Sequence, residues 1–134
     1  MKTTVLDSYA LISYLQQQEG YEDVAAIFDE CAANDREIFF CIVNWGEVIY
    51  QAIRRGGEAR AKLAEDTMST LPIQLVEANK ELTHQAAVLK ASHKMSYADC
   101  FAAALAMKKK GELVTGDNEF KQVEKNIKIR WIKE

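Results

Sequence analysis

The run from Ile38 to Val43, IFFCIV, limits the fold more than any other part of the chain. Six consecutive apolar residues offer no polar face, so a strand made from them is buried on both sides. Strands of that kind belong to parallel sheets, whose crossover connections carry helices over both faces. The flanking sequence supplies such helices: Val24, Ile27, Phe28 and Cys31 recur at helical spacing before the run, and Val48, Ile49, Ala52 and Ile53 after it.

The same pattern extends along the chain. Strand candidates are Thr3 to Leu6, Ile73 to Val76, Glu112 to Thr115, and Ile127 to Ile132, whose alternation of apolar and charged residues suits a sheet edge. Helical spacing covers Tyr9 to Leu15, Tyr21 to Asn34, and Asn44 to a break at Gly56-Gly57. It resumes over Glu58 to Thr70, ended by Pro72, over Ala78 to Lys94, and from Ser96 to a close at Lys108–Gly111. The order β-α-α-β-α-α-β-α-α-β-α-β predicts an α/β fold with a mostly parallel sheet covered on both faces.

At 134 residues, this is the length of one domain, residues 1–134, with enough chain for a core that needs no crosslinks. No signal peptide, lipidation motif or membrane-length apolar run stands out, so a cytoplasmic protein without a membrane partner is expected. Three cysteines without CxxC spacing, all in apolar context, read as buried thiols. His84 and His93 are too far apart to act as an i, i+4 metal pair. A net charge of −3 excludes nucleic-acid binding by bulk charge alone, but not binding through divalent cations that bridge carboxylates to phosphate.

Four acids carry the functional signal, and each also has a plain capping role. Asp7 lies between a strand and a helix, Asn44 would cap a helix with Glu47 in its first turn, Ser96 would cap one with Asp99 three residues on, and Asp117 falls in the turn Gly116-Asp117-Asn118. Against capping alone stands the helix around Asp99, which is apolar on two faces (Tyr97, Cys100, Phe101, Ala104 on one; Ala102, Ala103, Ala106 on the other) and makes a carboxylate costly. Asp7, Glu47 and Asp117 each come after a strand, so a parallel sheet delivers them to one edge; topology leaves Asp99 less determined. Converging carboxylates repel, and a cation relieves that repulsion. With no thiolate or imidazole nearby, such a site suits Mg²⁺ or Mn²⁺ rather than zinc, and hence phosphoryl chemistry. Neither GxGxxG nor a P-loop is present.

The segments VLDSYAL (5–11), NWGEV (44–48), SYADCFAAALA (96–106) and LVTGDNEF (113–120) together resemble the PIN-domain family, and within it the small VapC-type toxins of bacterial toxin–antitoxin pairs. The resemblance spans nearly the whole chain. It implies a three-layer α/β/α sandwich and a metal-dependent ribonuclease, with Asp7, Glu47, Asp99 and Asp117 as the acidic cluster binding Mg²⁺ or Mn²⁺. It also implies support from Thr115, from Glu119 as an additional acid, and from Ser8 and Ser96 by hydrogen bonding. Asp7 and Asp99 would hold the metal most directly, while Glu47 and Asp117 orient water for in-line attack on an RNA phosphodiester. The partners it implies are an RNA substrate, a cognate antitoxin that sends a basic side chain into the acidic groove, and a second copy in a homodimer. Arg54, Arg55, Lys94 and Lys121 are the candidate RNA backbone contacts. Cys100 after the third acid and Asn118 at an often basic place depart from the family pattern. The competing expectation is a PIN-like protein-binding module without catalysis.

Overall fold

The computed structural model describes residues 3–132. Five strands form one parallel sheet: β1 (Thr4–Leu6), β2 (Ile38–Cys41), β3 (Gln74–Val76), β4 (Glu112–Thr115) and β5 (Lys128–Trp131), in the spatial order β3-β2-β1-β4-β5. The helices are α1 (Ser8–Leu15), α2 (Tyr21–Ala33), α3 (Ile42–Met68), α4 (Lys80–Ser92) and α5 (Tyr97–Lys109), with a 3₁₀ turn (Asn118–Val123) after β4.

Alternation along the strands divides the core in two, as the two-residue period of a strand demands. Val5, Phe39 and Leu113 face α4 and α5, whereas Leu6, Phe40 and Val114 face α1, α2 and α3. The result is the three-layer α/β/α sandwich. Helix α5 is the most enclosed: Ala102, Ala103, Ala104, Leu105 and Ala106 are wholly buried, and small side chains let it lie close to the sheet and to α4. Among the described residues, no helix is long and apolar enough to cross a membrane.

Two local expectations change. The strand begun at Ile38 ends at Cys41, and Ile42 and Val43 start α3. A continuous apolar run satisfies a buried strand and a buried helix start equally, so it does not mark the boundary. The fourth helix stops at Ser92, which leaves His93 as its C-cap with Nδ1 2.9 Å from the Leu89 carbonyl oxygen. Helix α5 closes within Lys108–Gly111 as expected, with Lys110 as the left-handed residue (φ 52°). The break in α3 falls where expected, at Gly56 and Gly57, with Gly57 at φ 73°.

Gly111 serves a different need. A Cβ there would lie 2.4 Å from the Thr3 carbonyl oxygen, which accepts the Glu112 backbone N–H at 2.9 Å as β4 joins β1. Backbone cannot swing aside as a side-chain tip does. Gly111→Ala is therefore expected to cost about 1–3 kcal/mol, the range for overpacking, seen as a lower denaturation midpoint; an unchanged midpoint would show that the β1–β4 junction yields without strain.

Candidate metal centre

The chain runs outward from β1 through β2 to β3, then returns to β4 on the other side of β1. That reversal opens a crevice beyond the C-terminal ends of β1 and β4, the place where open α/β sheets bind ligands. A groove of about 490 Å³ lies there, and Ser8, Glu47, Arg55, Asp99, Asp117 and Glu119 are among its lining residues.

Asp7 leaves the end of β1 and caps α1: Oδ1 accepts the Ala10 backbone N–H at 2.8 Å, and Oδ2 accepts the Thr115 hydroxyl. It is wholly buried. Burial pushes its carboxyl up to about 8; the bonds from Thr115 and Ala10 pull it back only in part, while Asp99 and Asp117 add repulsion. Thr115, also wholly buried, donates to Asp7 and accepts the Asp117 backbone N–H at 3.0 Å. One hydroxyl thus couples the acid after β1 to the acid after β4. Asp117 caps the 3₁₀ turn, accepting the Glu119 N–H at 2.9 Å, and so turns Glu119 toward the same crevice.

Asp99 enters from the first turn of α5, where its N–H donates to Ser96 Oγ at 3.1 Å. Burial raises its carboxyl to about 7; Asp117 adds repulsion, a side-chain bond with Ser96 lowers it, and Glu47 and Glu119 raise it further. Glu47 comes from α3 and accepts the Ser8 hydroxyl at 2.6 Å. Each of Asp99, Asp117 and Glu119 offers an oxygen within 4.8 Å of the others. Asp7 and Glu47 are not in that closest group; they reach it through charge, Asp7 toward Asp99 and Asp117, Glu47 toward Asp99.

These residues fit a hard divalent cation. Every donor is a carboxylate oxygen, and Cys31, Cys41 and Cys100 are buried in the core. Asp7 and Asp99, raised by burial and by neighbouring carboxylates, take a proton or a counter-ion more readily than an ordinary carboxylate does. Oxygen-only donors of this kind suit a hard divalent cation better than a soft one.

Two features escaped sequence reasoning. Asn44 is not a cap: Cys41 precedes the first turn of α3, Glu47 sits in its second turn, and Asn44 is wholly buried with Nδ2 donating to the Ala98 carbonyl at 3.1 Å. The available signal was its place three residues before Glu47, on the same helical face. The second is the amide end of the groove, where Gln16, Gln18 and Gln51 join the lining and Gln16 Oε1 accepts from both Arg55 Nη1 and Gln18 Nε2 at 2.7 Å. Of the four cations expected to contact RNA, Arg55 lines the groove. Arg54 instead lies over the Tyr50 ring at 5.3 Å, and Lys94 and Lys121 are absent from the lining.

The PIN domain family model matches residues 4–126. No curated protein sequence matches at a significant level. Among solved structures, VapBC2 from Rickettsia felis bound to a DNA fragment from its promoter aligns with a TM-score of 0.80 at 13% identity, covering 98% of this chain and 99% of that one. VapBC from Salmonella typhimurium, also DNA-bound, gives 0.74 at 17% identity over 97% and 98%. VapC20 from Mycobacterium tuberculosis, a toxin that cleaves the sarcin–ricin loop, gives 0.71 at 16% identity over 90% and 95%. At these identities the likeness is one of fold.

Proposed function

The chain belongs to the PIN domain family, and from that premise we propose that it is a Mg²⁺- or Mn²⁺-dependent endoribonuclease, the toxin of a toxin–antitoxin pair. The observation that carries this reading is the convergence of Asp99, Asp117 and Glu119 within 4.8 Å, with buried Asp7 coupled to two of them. A binding module gains nothing from burying Asp7 and Asp99 beside further carboxylates, a costly arrangement without a counter-ion.

Asp7, Asp99 and Asp117, with Glu47 and Glu119, would hold the cation. Bound there, it supplies charge neutralisation and Lewis acidity for attack on a phosphodiester. The protein's own groups do the positioning. Ser8 holds the Glu47 carboxylate and Thr115 holds the Asp117 backbone, so that these two acids orient the attacking water. Glu47, Gln51 and Arg55 fall at i, i+4 and i+8 on α3, a line of about 12 Å at about 1.5 Å per residue. An RNA strand along that line meets the acids at one end, and at the other Arg55 for a phosphate and glutamine amides for base edges, as single-stranded RNA is commonly read.

The VapBC likeness supports a protein partner as well. In this reading an antitoxin fills the acidic groove with a basic side chain and blocks the RNA path, and two copies of the chain pair as a homodimer. The test is incubation of the antitoxin-free protein with mixed RNA and Mn²⁺, with EDTA as the blank. Cleavage abolished by EDTA and restored by excess Mn²⁺ is expected. No cleavage, combined with no heat of Mn²⁺ binding in calorimetry, would leave the non-catalytic module as the better account.

A further inference from the structure

We infer that Asn44 is a positioning residue for the carboxylate cluster, tying the first turn of α3 to the first turn of α5 and so fixing Asp99 relative to Glu47. The inference rests on the metal-site reading above. Its Nδ2 donates at 3.1 Å to the carbonyl oxygen of Ala98, 54 residues away in sequence. That carbonyl belongs to the peptide unit whose nitrogen is Asp99's own. The N–H of the same unit donates to Ser96 Oγ at 3.1 Å. One rigid plane is therefore gripped at both ends, by Asn44 at the oxygen and Ser96 at the nitrogen, and the Asp99 side chain leaves from its edge. Asn44 itself stands less than one helical turn before Glu47, and Ala98 directly precedes Asp99, so the tether joins the two acid-bearing helices next to their acids.

The residue type points the same way. Asn44 is wholly buried, and its Oδ1 is the one fully buried side-chain nitrogen or oxygen among the described residues that lacks a hydrogen-bond partner. Leaving a carbonyl unsatisfied in the interior is unfavourable, and an apolar side chain of similar size would avoid it. What the carboxamide adds is the N–H grip on Ala98. Of the groups that hold the acids in place, Ser8 and Ser96 act from beside them, and Asn44 acts from the core.

The test compares wild type with Asn44→Ala and Asn44→Ser, both of which remove the reach to Ala98, by Mn²⁺ titration calorimetry and by thermal melts in EDTA. Dissociation constants raised about 10–100-fold, the usual effect of losing a group that orients a metal ligand, with the metal-free fold retained, are expected. A folded variant that binds Mn²⁺ as tightly as wild type overturns the inference. So does failure of both variants to fold, which would assign the carboxamide to folding alone. Wild type that binds no Mn²⁺ overturns the metal-site reading itself, a separate result from wild type and variants binding alike.

Discussion

Asp99→Asn is expected to lower RNA cleavage by about 10³-fold, or about 4 kcal/mol of transition-state stabilisation, while leaving the metal-free protein at least as stable as wild type. Asparagine keeps the shape of the side chain and leaves the backbone N–H on Ser96 Oγ intact. What it removes is a charge close to Asp117, the neighbour whose repulsion adds most after burial to the rise in the Asp99 carboxyl. The two halves of the expectation have opposite signs for one reason: a carboxylate that costs stability when empty is the one a cation needs. Cleavage of mixed RNA and melts in EDTA at pH 8 read the two halves, and Mn²⁺ titration reads the metal affinity that links them. Equal cleavage by both proteins would remove Asp99 from the site, and a lower melting temperature for the variant would mean that the side chain serves the fold.

The metal-free protein should lose stability as pH rises from about 4 to 8. The Asp7 carboxyl stands at about 8 and that of Asp99 at about 7, both above the ordinary 3.8. Between the ordinary and raised values the folded chain binds more protons than the unfolded one, so the free energy of unfolding falls with pH, by at most about 1.4 kcal/mol per pH unit for each group. The contribution is complete below about pH 4 and lost once pH passes 7 to 8. Saturating Mn²⁺ takes the place of the protons, so its stabilising effect should grow with pH and be largest at pH 8. Denaturant titrations at pH 5 and pH 8, with Mn²⁺ or EDTA, measure this directly. Asp7→Asn should flatten the EDTA profile, and a wild-type profile in EDTA that rises with pH would contradict the assignment of buried, proton-binding carboxyls.

Much of the layered fold was legible because its signals are local. IFFCIV has no polar face, the glycine pair interrupts α3, and Ser96 caps α5, each for reasons held within a few residues. Capping and clustering proved to be compatible roles. Asp7 caps α1, Asp117 caps the 3₁₀ turn, and both also approach the crevice, because helix starts after parallel strands lie at one edge. The parts that stayed hidden depend on contacts between distant elements. Arg55 meets Gln16 only because α1 and α3 pack together. Asn44 carries a capping residue's chemistry in a capping residue's neighbourhood. Its use as a tether becomes visible only with α5 in place.

The hydrogen bond from Thr115 to Asp7 joins residues 108 positions apart, with a consequence for how the protein is made. A chain leaving the ribosome presents Asp7 and Glu47 long before Thr115 and Asp117 exist, and Asp99 also precedes them. Until β4 emerges, β1 lacks its second neighbour and Asp7 lacks the hydroxyl that holds it. The acid cluster therefore cannot assemble on a partial product, and whatever chemistry it supports waits until β4 has emerged. Ribosome-bound fragments ending before β4 should accordingly bind no Mn²⁺ at this site.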